Sequence, residues 1–310
     1  MRTAEVTAHG LEYELSAGGV RAVLTGVGAA IRQLSVDGVD LTPGYRPDVL
    51  RPFYSGAVLM PWPNRVRDGR WTHGGVTQYL DITEPRRANA LHGLLCFTEY
   101  RLLEHTDSCA VLGAQVFPQH GYPFQLDTRV RYALVDDGLH VTHTVANTGP
   151  ETAPVGIGTH PFLCIGDVPT AALTLTVAAD DHIDVDDRLN PVGVSPVRGG
   201  YWDLRAGRLV ADLDLDDAWT GLHMSDGGST HTLSAPDGRT VSLWADEQFG
   251  YLQVFTTRRY PVGDGFSTAI AVEPMTAPAD ALNSGAGLRW LEPGQDWSAS
   301  WSIRYRGAAQ

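Results

Sequence analysis

The chain has 310 residues, with 36 Asp and Glu against 23 basic residues that are all Arg, and a formal net charge of −13. So acidic a chain is a poor binder of phosphate backbones, which argues against nucleic acid as a partner. The absence of Lys removes Schiff-base amine and P-loop lysine chemistry, and three scattered cysteines (Cys96, Cys109, Cys164) without a C-x-x-C give neither a disulfide framework nor a zinc cluster.

The opening MRTAEVTAHGLEYELSAGG has no apolar h-region, so no signal peptide is expected. No run of 18 apolar residues predicts a membrane span, and the expected location is the cytoplasm. Alternating segments then follow at short intervals: HGLEYEL at 9–15, RAVLTGVG at 21–28, GLHVTHTVAN at 138–147, AALTLTVA at 171–178, TVSLWAD at 240–246, YLQVFTT at 251–257 and WSASWSIRY at 297–305. Gly-Gly at 18–19 and 74–75, and Asp-Gly at 37–38, 68–69, 137–138 and 237–238, supply turns between them. Many short strands with Asp-Gly hairpin signals predict an all-β fold, a large antiparallel β-sandwich. Only 278–282 reads as a short helix. No linker or internal repeat divides the chain, so residues 1–310 are expected to form a single domain.

Function on such a scaffold belongs to loops and to the concave face of a sheet, and five segments carry candidate chemistry. In PWPNRVRDGRW (61–71), Asn64 and Arg65 sit in a stiff loop, where a planar guanidinium makes paired hydrogen bonds to hydroxyls. His92 stands at a Leu-His-Gly step in NALHGLLCF. His160, in VGIGTHPFL, follows a glycine-rich strand; burial pushes such a ring towards neutrality and a nearby carboxylate pushes it back, which is how a general acid near neutral pH is made. In LDLDDAWTGL (213–222), Asp216 with Trp219 at i+3 pairs a hydroxyl acceptor with a ring suited to C–H faces. Glu273, after AIAV and before Pro274, is a carboxylate that burial obliges to find a partner. Taken singly, each also fits a structural role: a surface loop, a satisfied histidine, a solvated acidic run, a paired carboxylate.

Metal binding finds little support. His140 and His143 are spaced i, i+3 on an apparent strand and point to opposite faces. The run DDHIDVDD at 180–187 lacks the glycine and glutamate of a calcium loop and reads as a solvated loop. Trp71, Trp202, Trp244, Trp290, Trp297 and Trp301 are expected mostly in the core.

Together these segments resemble the aldose 1-epimerase (galactose mutarotase) family along nearly the whole chain. NRVRDGRW resembles its Asn-Arg loop, His92-Gly93 its first histidine and GTHPF its second. HGYPFQL at 120–126, the strand ending Val145-Ala146-Asn147 and LNPVGVSPVRGGYWDLR at 189–205 resemble its connecting segments. Asp216 resembles its substrate aspartate, VEPMTAPADALN its catalytic glutamate segment, and LEPGQDWSASWSIRY its closing strands. Where the family usually has His after the aspartate, this chain has Asp217.

The resemblance implies a galactose mutarotase-like supersandwich that interconverts the α and β anomers of a free hexose, with no metal and no cofactor. Glu273 would be the base and His160 the acid, assisted by His92, while Arg65, Asn64, Asp216 and Trp219 would hold the sugar. The partner would be a free glucose- or galactose-like aldose, and the protein a monomer or homodimer. Three other readings stand beside it. A non-catalytic carbohydrate-binding sandwich would not need an acid–base pair. A hexose-6-phosphate 1-epimerase would need added cations such as Arg67 and Arg70. A glycoside hydrolase or lyase would use Glu273 and Asp216 as paired carboxylates.

Overall fold

The computed structural model describes residues 7–308, so the first six residues of MRTAEVTAHGLEYELSAGG lie outside it. The fold is all-β, with antiparallel sheets. A ten-stranded sheet is centred on Gly138–Asn147, flanked by Leu126–Val135 and Asp296–Arg306. An eight-stranded sheet runs in the order Pro191–Pro196, Ala179–Val185, Asp216–Leu222, Tyr251–Val262, Gly265–Met275, Gly158–Thr159, Val58–Leu59, with Phe162–Leu163 also paired to Gly265–Met275. A four-stranded sheet of Glu12–Ala17, Val20–Thr25, Ile31–Val36 and Val39–Asp40 packs on the first.

The period of two in the side chains decides what each face of the eight-stranded sheet does. Trp219, Leu252, Val254, Ile270 and Val272 point into the main core, where they join Val141, Val145, Val241, Leu243, Trp301 and Ile303 of the ten-stranded sheet. The intervening residues Gln253, Phe255 and Glu273 therefore point to the opposite face.

Several segments lie where alternation put them. GLHVTHTVAN and TVSLWAD are strands over the same residues. His143 is fully buried and accepts a hydrogen bond from the Trp301 indole N–H at 3.0 Å, whereas His140 sits half-buried on the other face.

Others need correction. Only Thr174–Thr176 of AALTLTVA is strand, because Thr170–Ala172 forms a 3-10 turn before it. The short helix falls at Ala281–Ser284, after Asp280. The acidic run at 180–187 is no solvated loop: Ala179–Val185 is a strand whose His182 is buried between acidic partners. Trp71, Trp297 and Trp301 are core, but Trp290 is 45% exposed, and Trp202 and Trp244 are only partly covered. Among the described residues no helix is long and apolar enough to cross a membrane, and no group of three His, Cys, Asp or Glu side chains is arranged to hold a metal ion.

Candidate active site

The loop residues are placed by short-range backbone demands. Arg65–Arg67 pairs with Asn89–Leu91, setting Arg65 opposite Leu91. The His92 N–H then donates to the Asn64 carbonyl at 2.8 Å. Both Asn64 (φ 56°) and His92 (φ 64°) occupy the left-handed region, which Asn and His tolerate better than most residues. Gly93 follows at φ 71°, and a Cβ there would lie 2.2 Å from the Met60 carbonyl oxygen. That collision explains the His-Gly step. His160 is tied on both sides of its peptide to the preceding turn, accepting from Gly56 N–H at 2.8 Å and donating to Ala57 O at 3.0 Å. In the eight-stranded sheet Gln253 stands opposite Glu273, and Asp216 opposite Phe255.

These elements converge on one cavity of about 170 Å³, lined by Asn64, Arg65, His92, His160, Asp216 and Glu273. Four of its side chains close a ring of hydrogen bonds. Asn64 Oδ1 accepts from Arg65 N–H (2.9 Å) and Nη1 (3.3 Å), and Asn64 Nδ2 donates to Gln253 Oε1 at 3.1 Å. Gln253 Nε2 donates to Asp216 Oδ1 at 2.8 Å, and Arg65 Nη2 to Asp216 Oδ2 at 3.2 Å. Glu84 grips the other edge of the guanidinium, with Nε at 2.9 Å and Nη2 at 3.1 Å. Burial works against the charge on Arg65, but Asp216 and Glu84 outweigh it and raise its pKa; burial likewise opposes ionisation of Glu84, and Arg65 outweighs it in turn. The cation is thus fixed and permanently charged, its planar fork spent on two carboxylates.

Beside this ring His160 Nε2 lies 3.3 Å from Glu273 Oε1, both side chains almost wholly buried. Burial raises the Glu273 pKa well above the ordinary carboxylate value, with Asp216 adding to the rise and Arg65 opposing it. Burial lowers His160 to about 3. His92 is also pushed well below its ordinary value, by burial first and then by His160 and Arg65. These directions describe a pair that shares one proton, held on the carboxyl in the favoured form. Neutral His160 differs from the near-neutral general acid expected from sequence, because burial dominates its surroundings. Glu273 Oε2, His160 Nδ1 and His92 Nδ1 are buried without a hydrogen-bond partner among the described residues. Unpartnered buried polar atoms are costly, and these three converge on one cavity able to receive a ligand's polar groups.

Of the sequence-derived candidates, Trp219 does not belong to this cavity. It is 1% exposed, packs in the core and donates its indole N–H to the Trp202 carbonyl at 3.0 Å. The reason is strand parity: Asp216 and Trp219 are three apart and face opposite ways. Phe53, Tyr54 and Phe255 supply the aromatic lining instead. Asp216, not Asp217, faces the cavity; the Asp217 carboxylate turns away to His182 and Trp202. Arg67 is engaged by Asp186 and Asp280, Arg70 by Asp68, and neither lines the cavity. Reading the sequence missed Gln253, although it is the polar residue inside YLQVFTT. It also missed Glu84 and Arg87, for which only the folded geometry gives a signal. Phe53 (φ 46°) and Tyr54 (φ 57°) are aromatics held in the left-handed region, a strained arrangement of the kind found at functional sites.

Residues 12–304 match the family model described as aldose 1-epimerase. The chain is 30% identical over 297 residues to an uncharacterized Escherichia coli (strain K12) protein, YihR, covering 95% of this chain and 93% of that one. It is 32% identical over 161 residues to the galactose mutarotase of Mus musculus, covering 49% of this chain and 45% of that one. Among solved structures, an aldose epimerase homologue from C. elegans superposes with a TM-score of 0.84 at 17% identity, covering 96% and 99% of the two chains. A galactose 1-epimerase from Lactobacillus acidophilus NCFM superposes with a TM-score of 0.77 at 18% identity, covering 95% and 93%. The chain therefore has the galactose mutarotase-like fold and belongs to the aldose 1-epimerase family.

Proposed function

We propose that this protein is a mutarotase that interconverts the α and β anomers of a free hexose. The observation that carries the reading is the buried Glu273–His160 contact at 3.3 Å beside the fixed Arg65–Asp216 ring. Opening a pyranose takes one proton from the C1 hydroxyl and delivers one to the ring oxygen. A pair that holds a single proton has the required inventory. With the proton on His160, Glu273 removes the C1 hydroxyl proton as His160 protonates the ring oxygen, breaking the C1–O bond to give the open aldehyde. Rotation about C1–C2 and the reverse transfers close the ring on the other face. His92 assists at the ring oxygen or the neighbouring hydroxyl, while Arg65, Asn64 and Asp216 orient the sugar. The only groups the reaction calls on are the side chains that give and take protons, so no metal or cofactor has a part. The whole chain acts as one domain, and each monomer or homodimer subunit carries a complete site.

Charge in the cavity favours a neutral sugar. Its cations Arg65 and Arg87 are both paired with Glu84, and Arg65 with Asp216 as well, which leaves no free cation among the described residues of the lining for a phosphate. Polarimetry on freshly dissolved α-glucose and α-galactose tests the proposal: the approach to the equilibrium rotation is accelerated in proportion to enzyme. A rate no faster than buffer for every aldose tried sinks it. Trp219→Phe is expected to leave KM unchanged but to lower thermal stability, since the lost indole bond to the Trp202 carbonyl is worth about 1 kcal/mol. A raised KM without a stability loss would return Trp219 to the sugar.

A further inference from the structure

Behind the strand that carries Asp216 lies a polar cluster with no part in the proton transfers. Asp217 points to the opposite face, and its carboxylate collects three donors. Oδ2 accepts the Asp216 backbone N–H at 3.1 Å, and Oδ1 accepts His182 Nε2 at 2.8 Å and Trp202 Nε1 at 3.0 Å. His182 is 1% exposed, stacked on Trp202 at 3.9 Å and 13° and edge-on to Trp219 at 5.8 Å and 77°. Its Nδ1 lies 3.1 Å from Asp184 Oδ1, and Asp184 Oδ2 accepts from the Ser195 hydroxyl. The imidazole is clamped flat and held at both nitrogens.

We infer that His182 and Asp217 are positioning residues for Asp216. His182 fixes the Asp217 carboxylate, which grips the Asp216 peptide and so aims the Asp216 side chain at Arg65, Gln253 and the sugar. Hydrogen bonds to a carboxylate are strong and directional, and a site is only as well ordered as the shell behind it. The inference rests on the reading that Asp216 binds the sugar.

Substitution at 182 separates positioning from packing. A Gln side chain places its amide nitrogen near the level of Nε2 and keeps a donor for Asp217. An Asn side chain reaches only to the level of Nδ1 and faces Asp184. Both lose the stack on Trp202, so their thermal midpoints fall together. Steady-state mutarotation by His182→Asn is expected to show KM raised about 10-fold with kcat little changed, as loss of oriented binding predicts. His182→Gln stays near the parent. In an Asp216→Asn background, whose own KM is raised, His182→Asn adds nothing further, because coupled residues are not additive. Equal KM rises in the Gln and Asn variants, or the same rise with and without Asp216, overturn the inference and leave His182 as packing. An unchanged KM in Asp216→Asn itself removes Asp216 from the sugar and overturns both readings.

Discussion

Glu273→Gln is expected to lower kcat by about 10²-fold or more with little change in sugar binding, because the amide keeps the shape of the carboxylate but cannot take the C1 hydroxyl proton. The same substitution is expected to raise thermal stability at neutral pH. Burial raises the Glu273 pKa, so the folded chain binds this proton more tightly than the unfolded one does. Between the unfolded and folded pKa values the native state therefore holds more protons, and stability falls as pH rises through that window. Gln cannot ionise, so its variant loses that decline. Polarimetric rates and thermal midpoints on the same two proteins read out both effects. A Gln variant that equilibrates anomers at the parent rate refutes the mechanism. One that is less stable than the parent at neutral pH refutes the account of the buried carboxyl.

The fold was legible because strand alternation is written directly in the chain. GLHVTHTVAN and TVSLWAD have an unbroken period of two and lie in the middle of the large sheet, where both neighbours reinforce it. AALTLTVA has the same period but lies towards one end of that sheet, and three of its residues pair. DDHIDVDD misled because its acidic residues suggest solvent. Three of its five Asp residues are instead paired: Asp180 with Arg205, Asp184 with His182 and Asp186 with Arg67. Sequence composition does not show such pairing, since the two arginines lie on distant segments.

At the cavity, the candidates visible in advance were polar residues in unusual surroundings: Asn64 between proline and arginine, His92 before glycine, Glu273 after four apolar residues. Trp219 was misassigned through its distance from Asp216 along the chain, yet parity on a strand sends the third residue to the far side. The aromatic lining from Phe53 and Tyr54 was not legible, because a left-handed backbone at two bulky residues is a product of the surrounding packing. Gln253 was hidden by a different cause. In YLQVFTT it breaks no pattern, and its importance comes from standing opposite Glu273 and joining Asn64 to Asp216.

The second large effect concerns the proton shared by His160 and Glu273. With two protons the pair has no base, and with none it has no acid, so kcat/KM should be highest while one proton is held. His160 is lowered to about 3, which puts the acid limb far below the ordinary histidine range. Glu273 is raised, which puts the alkaline limb well above the ordinary carboxylate range. An enzyme whose histidine titrated at its ordinary value would instead show a break near pH ~6.5. His160→Asn removes the acid and should lower kcat by about 10²-fold. Combining it with Glu273→Gln should be little worse than the worse single variant, because each residue is useful only when the other can complete the transfer. The pH profile and the double variant are independent measurements on one claim. If the two losses multiply, or if the acid limb lies near 6.5, the groups act separately and the shared-proton mechanism fails even if the protein proves to be a mutarotase.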